Sequence, residues 1–116
     1  SKFREESGYE SAKKLLSQSD KPTAIFASND KIAIGVMRAM KEMNLKVPQD
    51  ISIIGFDDIE LAKYVTPKLT TIRQDCTSVG KAAVDLLVEQ INAKAKLKIN
   101  KVIPVELIER ESCRKI

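Results

Sequence analysis

Residues 51–58 read Ile-Ser-Ile-Ile-Gly-Phe-Asp-Asp, an apolar run that ends without transition in two carboxylates. A strand is apolar along its whole length when both faces of its sheet are covered, the usual condition of a parallel sheet flanked by helices. The same design stands upstream, where Thr23-Ala-Ile-Phe-Ala27 runs into Ser28-Asn-Asp30. Between the two, Ile32, Ala33, Val36, Met37, Met40 and Met43 follow i, i+3, i+4 spacing and predict a helix from about 29–30 to 43. Strand, helix and parallel strand put both polar ends on the carboxyl edge of one sheet. That edge is where open α/β sheets bind ligands.

The remaining segments continue the alternation. Tyr9, Ala12, Leu15 and Leu16 predict a helix over 8–18, broken by Ser19-Asp-Lys-Pro22. Asn44 stands where a left-handed residue closes a helix, Leu45 supplies the apolar contact after it, and Pro48 prevents continuation. Gly35, inside a helix, costs about 1 kcal/mol relative to Ala and predicts close packing against a neighbour. A short helix is expected over 58–64 and a β-branched strand over 69–74. Thr77 is expected to cap a helix reaching Ala93, with Val79, Ala83, Leu86, Leu87 and Ile91 on one face. A last strand is expected over 101–108, with Pro104 marking an edge or a bend. This order argues an α/β fold with a mostly parallel sheet and flanking helices, with a weak boundary at residues 75–77.

Composition narrows the chemistry. The 116 residues include no His, and Cys76 and Cys113 have no nearby cysteine. A Cys/His zinc site and a His-based catalytic triad are therefore excluded, and two isolated thiols suit a reducing, cytoplasmic compartment. No Gly-rich phosphate motif and no membrane-length apolar run occurs, so neither a cofactor nor a membrane partner is expected. Net charge is +4, with local density only at Lys94, Lys96, Lys98 and Lys101. That run reads as a solvated linker or, alternatively, a phosphate-binding stripe. Asn29-Asp30 and Asp57-Asp58 read either as helix caps or as ligand groups. A carboxylate accepts from adjacent hydroxyls and an amide both donates and accepts, so the set suits a polyol or sugar. Gln74, ending the third strand, adds a second amide or is a solvated strand end. A hard-cation site at Asp30, Asp57 and Asp58 has no spacing motif to support it. The composition points to binding rather than catalysis, and no catalytic residue is assigned.

Taken in order, Pro22-Thr-Ala-Ile-Phe-Ala-Ser-Asn-Asp30, Ala33-Ile-Gly35 and Val47-Pro-Gln-Asp-Ile-Ser-Ile-Ile-Gly-Phe-Asp-Asp58 resemble the lactose-repressor/purine-repressor family of transcription regulators. So do Pro67-Lys-Leu-Thr-Thr-Ile-Arg-Gln74, Gly80-Lys-Ala-Ala and Pro104-Val-Glu-Leu-Ile-Glu-Arg-Glu-Ser112. The resemblance implies a periplasmic-binding-protein-like effector domain of two lobes, of which this chain is similar to the C-terminal part. Residues 1–74 would then belong to the C-terminal lobe, while 75–116 supply a crossover helix and strand completing the other lobe, with a returning tail. It also implies effector contacts at Asn29, Asp57 and Gln74, and a homodimer interface including Ile34, Tyr64 and Val65. Operator DNA would be bound by a headpiece that these residues do not contain. Cys76 stands where some members carry an aromatic residue, which removes a stacking partner for ligand. The rival readings are a phosphoacceptor receiver domain and a periplasmic sugar-binding protein. With the other lobe's strands absent, the apolar face of helix 77–93 is expected either to fold back on the sheet or to be covered by a second copy.

Overall fold

A computed structural model describes residues 4–93 and 98–116 of the chain. The order is α1 (Glu5–Leu16), β1 (Ala24–Phe26), α2 (Asp30–Glu42), β2 (Ser52–Ile54), a 3-10 turn (Glu60–Lys63), β3 (Thr71–Arg73), α3 (Cys76–Asn92) and β4 (Glu106–Ile108). Two units emerge from the contacts: residues 1–73 with Leu107–Ile116, and Gln74–Glu106.

In the first unit β1 and β2 pair in parallel, with Ala24, Ile25 and Phe26 opposite Ser52, Ile53 and Ile54. Parallel bridges Ile54–Thr70 and Asp57–Arg73 bring β3 alongside the end of β2. β4 pairs with β3. Leu16, Met40, Ile51, Ile53 and Leu69 are fully buried, so strand residues and the inward stripes of α1 and α2 share one aliphatic core. Gly35 explains how the two helices come so close: a Cβ there would overlap the Glu5 carbonyl oxygen. The acidic first turn of α1 (Glu5, Glu6) and its basic last turn (Lys13, Lys14) complement the helix dipole.

The end of α2 follows its sequence. Asn44 has φ 57°, its N–H donates to Lys41 O at 3.2 Å, and Leu45 N–H donates to Met40 O at 2.9 Å. These are the two closing bonds of a Schellman turn, and they satisfy carbonyls the helix itself cannot. The segment after β4 threads back into the core. Ile53 N–H donates to Ser112 O, while the Ser112 hydroxyl donates to Ile53 O and accepts from Thr70 N–H. Ser112 is fully buried, and these bonds satisfy its hydroxyl and its carbonyl.

In the second unit the cap of α3 stands two residues earlier than expected. Its cap is Asp75, whose carboxylate accepts from Thr77 and Ser78 N–H, rather than Thr77. One carboxylate oxygen accepts from both amides, so Thr77 lies inside the first turn as a capped residue. The strand expected over 101–108 is reduced to Glu106–Ile108. Pro104 has no N–H to give a ladder, and Lys101–Val105 stay outside regular structure. Ala82 is the buried residue of α3, whereas Val79, Leu87 and Ile91 are exposed. The lysine-rich reading at 94–98 falls mostly on residues 94–97, which lie outside the described residues.

Candidate functional site at the carboxyl ends of the strands

Asn29 lies three residues past β1 and Asp57 three past β2. The parallel register continues beyond the strands: Ala27 N–H donates to Ile54 O and Asp30 N–H to Phe56 O, each at 2.9 Å. The two polar segments therefore lie side by side at one edge of the sheet. Asn29 is the N-cap of α2; its Oδ1 accepts from Ile32 N–H at 2.9 Å. The cap uses the carbonyl end of the amide and leaves its NH2 end as a donor. Capping and ligand contact are thus compatible at this residue, using different atoms.

Asp57 is exposed on a backbone with φ 114°, and Asp58 follows at φ 54°. Two successive non-glycine residues at positive φ cost about 1–2 kcal/mol each. Such a turn persists only if its surroundings hold it. Asp57 N–H donates to Ile72 O at 2.8 Å, anchoring the turn to β3. Asp30, fully buried, accepts from Ile59 N–H at 2.9 Å on one oxygen and from the Thr71 hydroxyl on the other. Gly55 makes room for this carboxylate, since a Cβ there would overlap Asp30 Oδ1. Asp58, with 5% of its side chain exposed, accepts from Arg110 Nη2 at 2.6 Å and Arg73 Nε at 2.8 Å.

The neighbouring carboxylates are driven in opposite directions. Burial pushes Asp30 above the ordinary value, against the opposing hydrogen bonds from Thr71 and Ile59, and the nearby charges of Asp57 and Asp58 push the same way. Burial would also raise Asp58, but the hydrogen bonds and charges of Arg110 and Arg73 outweigh it and hold the group below the usual carboxylate range. The hard-cation reading loses its ligands here: Asp30 is engaged by a hydroxyl and an amide, Asp58 by two guanidiniums. Among the described residues no cluster of three metal-ligating side chains forms.

Gln74 directly follows β3 and is the first residue of the second unit. There it lines a small cavity of about 220 Å³ with Asp75, Val79, Lys101 and Ile103–Val105. The structure therefore brings Asn29 and Asp57 together and assigns Gln74 to the other unit. Of the three residues expected at a dimer face, Ile34 and Val65 line one open cavity of about 560 Å³ on the first unit, with Met37, Arg38 and Pro67. Tyr64 is 70% exposed and donates its hydroxyl to Glu60. Sequence reasoning missed the grip of Arg73 and Arg110 on Asp58. The signal was present in the closing Leu-Ile-Glu-Arg run, but nothing local says which carboxylate a distant arginine will meet.

The class follows from comparison with known proteins. The chain belongs to the periplasmic binding protein-like domain family, which it matches over residues 1–113, and within it to the lactose-repressor/purine-repressor branch. It is 43% identical over 110 residues to the HTH-type transcriptional repressor PurR of Salmonella paratyphi B, covering 95% of this chain and 32% of that protein. The lac repressor dimer bound to operator and the anti-inducer ONPF superposes with TM-score 0.85 at 37% identity, over 96% of this chain and 38% of that one. A LacI-family regulator from Enterococcus faecalis, solved with bound ribose, gives TM-score 0.80 at 40% identity, over 96% and 41%. The chain thus spans about a third of the length of the curated relatives it matches. These relatives are repressors, and the match sets aside the receiver-domain alternative. No helix among the described residues is long and apolar enough to cross a membrane.

Proposed function

We propose that this chain is the effector-sensing part of a cytoplasmic, DNA-binding transcription regulator, binding a sugar-like small molecule without catalysis. The carrying observation is the pairing of Asn29 and Asp57 on parallel strand ends joined by the Asp30–Phe56 backbone bond. An amide NH2 group and an exposed carboxylate there offer a donor and an acceptor to a polyhydroxylated ligand. Gln74, directly after β3, is the proposed third contact. Residues 1–74 belong to the C-terminal lobe in this reading, and 75–116 to a crossover helix and strand with a returning tail. The ribose held by the Enterococcus faecalis relative supports the sugar class.

The mechanism is allosteric. An effector that binds one arrangement of the lobes better than the other shifts their populations, and with them the affinity for operator DNA. DNA contact belongs to a headpiece outside these residues, and the protein acts as a homodimer through Ile34, Tyr64 and Val65. The test is calorimetry on the full-length protein with D-ribose and a set of pentoses and hexoses. Asp57→Ala is expected to weaken the sugar that binds by about 1.5–3 kcal/mol, the scale of a charge-assisted hydrogen bond. An unchanged isotherm would count against the assignment.

A further inference from the structure

Asp58 is not needed as a ligand contact in this reading, yet two guanidiniums hold it. Both guanidiniums that hold it come from points where the chain changes units. Arg73 is the last residue before the first crossing, and Arg110 lies three residues beyond Leu107, where the chain returns. Arg110 is itself fixed: its Nη1 donates to Leu69 O at 2.8 Å and its N–H to Thr70 Oγ1 at 2.9 Å, with 12% of its side chain exposed. Asp58 N–H leans on Thr71 Oγ1, and that hydroxyl donates to Asp30. The left-handed Asp57–Asp58 turn is thus tied to the departing strand and the returning strand through one side chain.

We infer that Asp58 is a positioning residue for the effector site, clasping Arg73 and Arg110 so that the Asp57 turn and the two crossing segments move as one piece. The inference rests on the sugar-binding role proposed for Asp57. Its chemistry is that of a shared carboxylate between two fork-shaped donors, which fixes direction as well as distance. A ligand drawing on Asp57 then acts on the crossings through covalent adjacency and two charged hydrogen bonds. Loss of the clasp would let the strained turn relax toward negative φ and carry the Asp57 carboxylate away from its aim.

The test uses the full-length protein, with Asp58→Asn as the nearly isosteric variant. Hydrogen exchange at the amides of residues 57–59 is expected to rise about tenfold while α1 keeps its protection. D-ribose affinity is expected to fall about tenfold, and the double variant with Asp57→Asn to bind no more weakly than Asp57→Asn alone. That non-additivity separates positioning from a general loss of stability. Unchanged exchange at 57–59, or binding losses that multiply in the double variant, would overturn the inference. Failure of D-ribose to bind the unaltered protein overturns the ribose reading alone, and the exchange measurement then decides the clasp by itself. Should Asp58→Asn fail to fold, Arg110→Lys carries the same readouts, since it keeps the charge and loses the fork.

Discussion

The first unit and the second are built from the same kinds of element, and they treat apolar side chains differently. In the first, α1 and α2 present stripes at helical spacing to strands that receive them, and Leu16, Ala33, Ala39 and Met40 are buried to within 2%. In the second, α3 carries an equally regular stripe, yet Leu87 is 58% and Ile91 72% exposed. Helical periodicity reports that a face is meant to be covered; it does not say that the cover is part of the same stretch of chain. The first unit holds its own cover, including the tail that returns at Leu107. For α3 the described residues of its own unit leave that stripe exposed.

The sharpest way to break this contrast is truncation. Leu16→Ala and Met40→Ala should each destabilise by about 2–5 kcal/mol, because each removes buried methylenes and leaves a cavity. Leu87→Ala and Ile91→Ala in this chain should stay within about 0.5 kcal/mol. Urea unfolding of the isolated chain measures both; equal effects would mean that α3 is covered in solution. Ile34 tests the outer side of α2, half-buried beside Met37 and Val65. Ile34→Asp is expected to leave the fold intact and dissociate the proposed full-length dimer, as sedimentation would report; a variant still dimeric would remove this face from the interface.

The smallest expected effect is on pH dependence, and it has two signs within the first unit. Asp58, held below its ordinary value, contributes stability that is present above its unfolded pKa and lost as pH falls through its lowered folded one. Asp30, held above its ordinary value, contributes stability that is present below its unfolded pKa and lost as pH rises through its folded one. Thermal unfolding scanned from about pH 2 to 7 should therefore lose part of its acid-side slope in Asp58→Asn. In Asp30→Asn it should lose part of the opposing slope. Asp75 in the second unit is also lowered, by its hydrogen bonds to Ser78, but it is exposed and its variant should leave the scan nearly unchanged.

What the residues disclosed in advance follows the same division. The helices of the first unit, the left-handed Asn44 and the close approach at Gly35 were legible because spacing, backbone chemistry and local contact agree there. The strands were overdrawn, the run Thr23–Ala27 narrowing to Ala24–Phe26, although single bonds from Ser52 N–H to Thr23 O and from Ala27 N–H to Ile54 O carry the pairing one residue further at each end. The cap of α3 moved from Thr77 to Asp75 for want of a rule that ranks two capping residues two positions apart. Asn29 and Asp57 were legible as strand-end polar groups. Asp30 was read as a cap or cation ligand; that it is fully buried and holds Ile59 depends on partners 29 and 41 residues away. The Arg110–Asp58 pair spans 52 residues, and no window of sequence contains both.

Ser112 gives the sheet a consequence in time. Its hydroxyl and backbone carbonyl complete bonds to Ile53 and Thr70, partners 59 and 42 residues earlier. Contacts of such separation form slowly, since a long loop must close before they return anything. On the ribosome, α1, β1 and α2 emerge with their helical contacts ready to form. The middle of the sheet waits with open amides until Ser112 has cleared the exit tunnel. During that interval β2 offers an unsatisfied strand to any chain nearby, so nascent copies on one message are each other's first hazard.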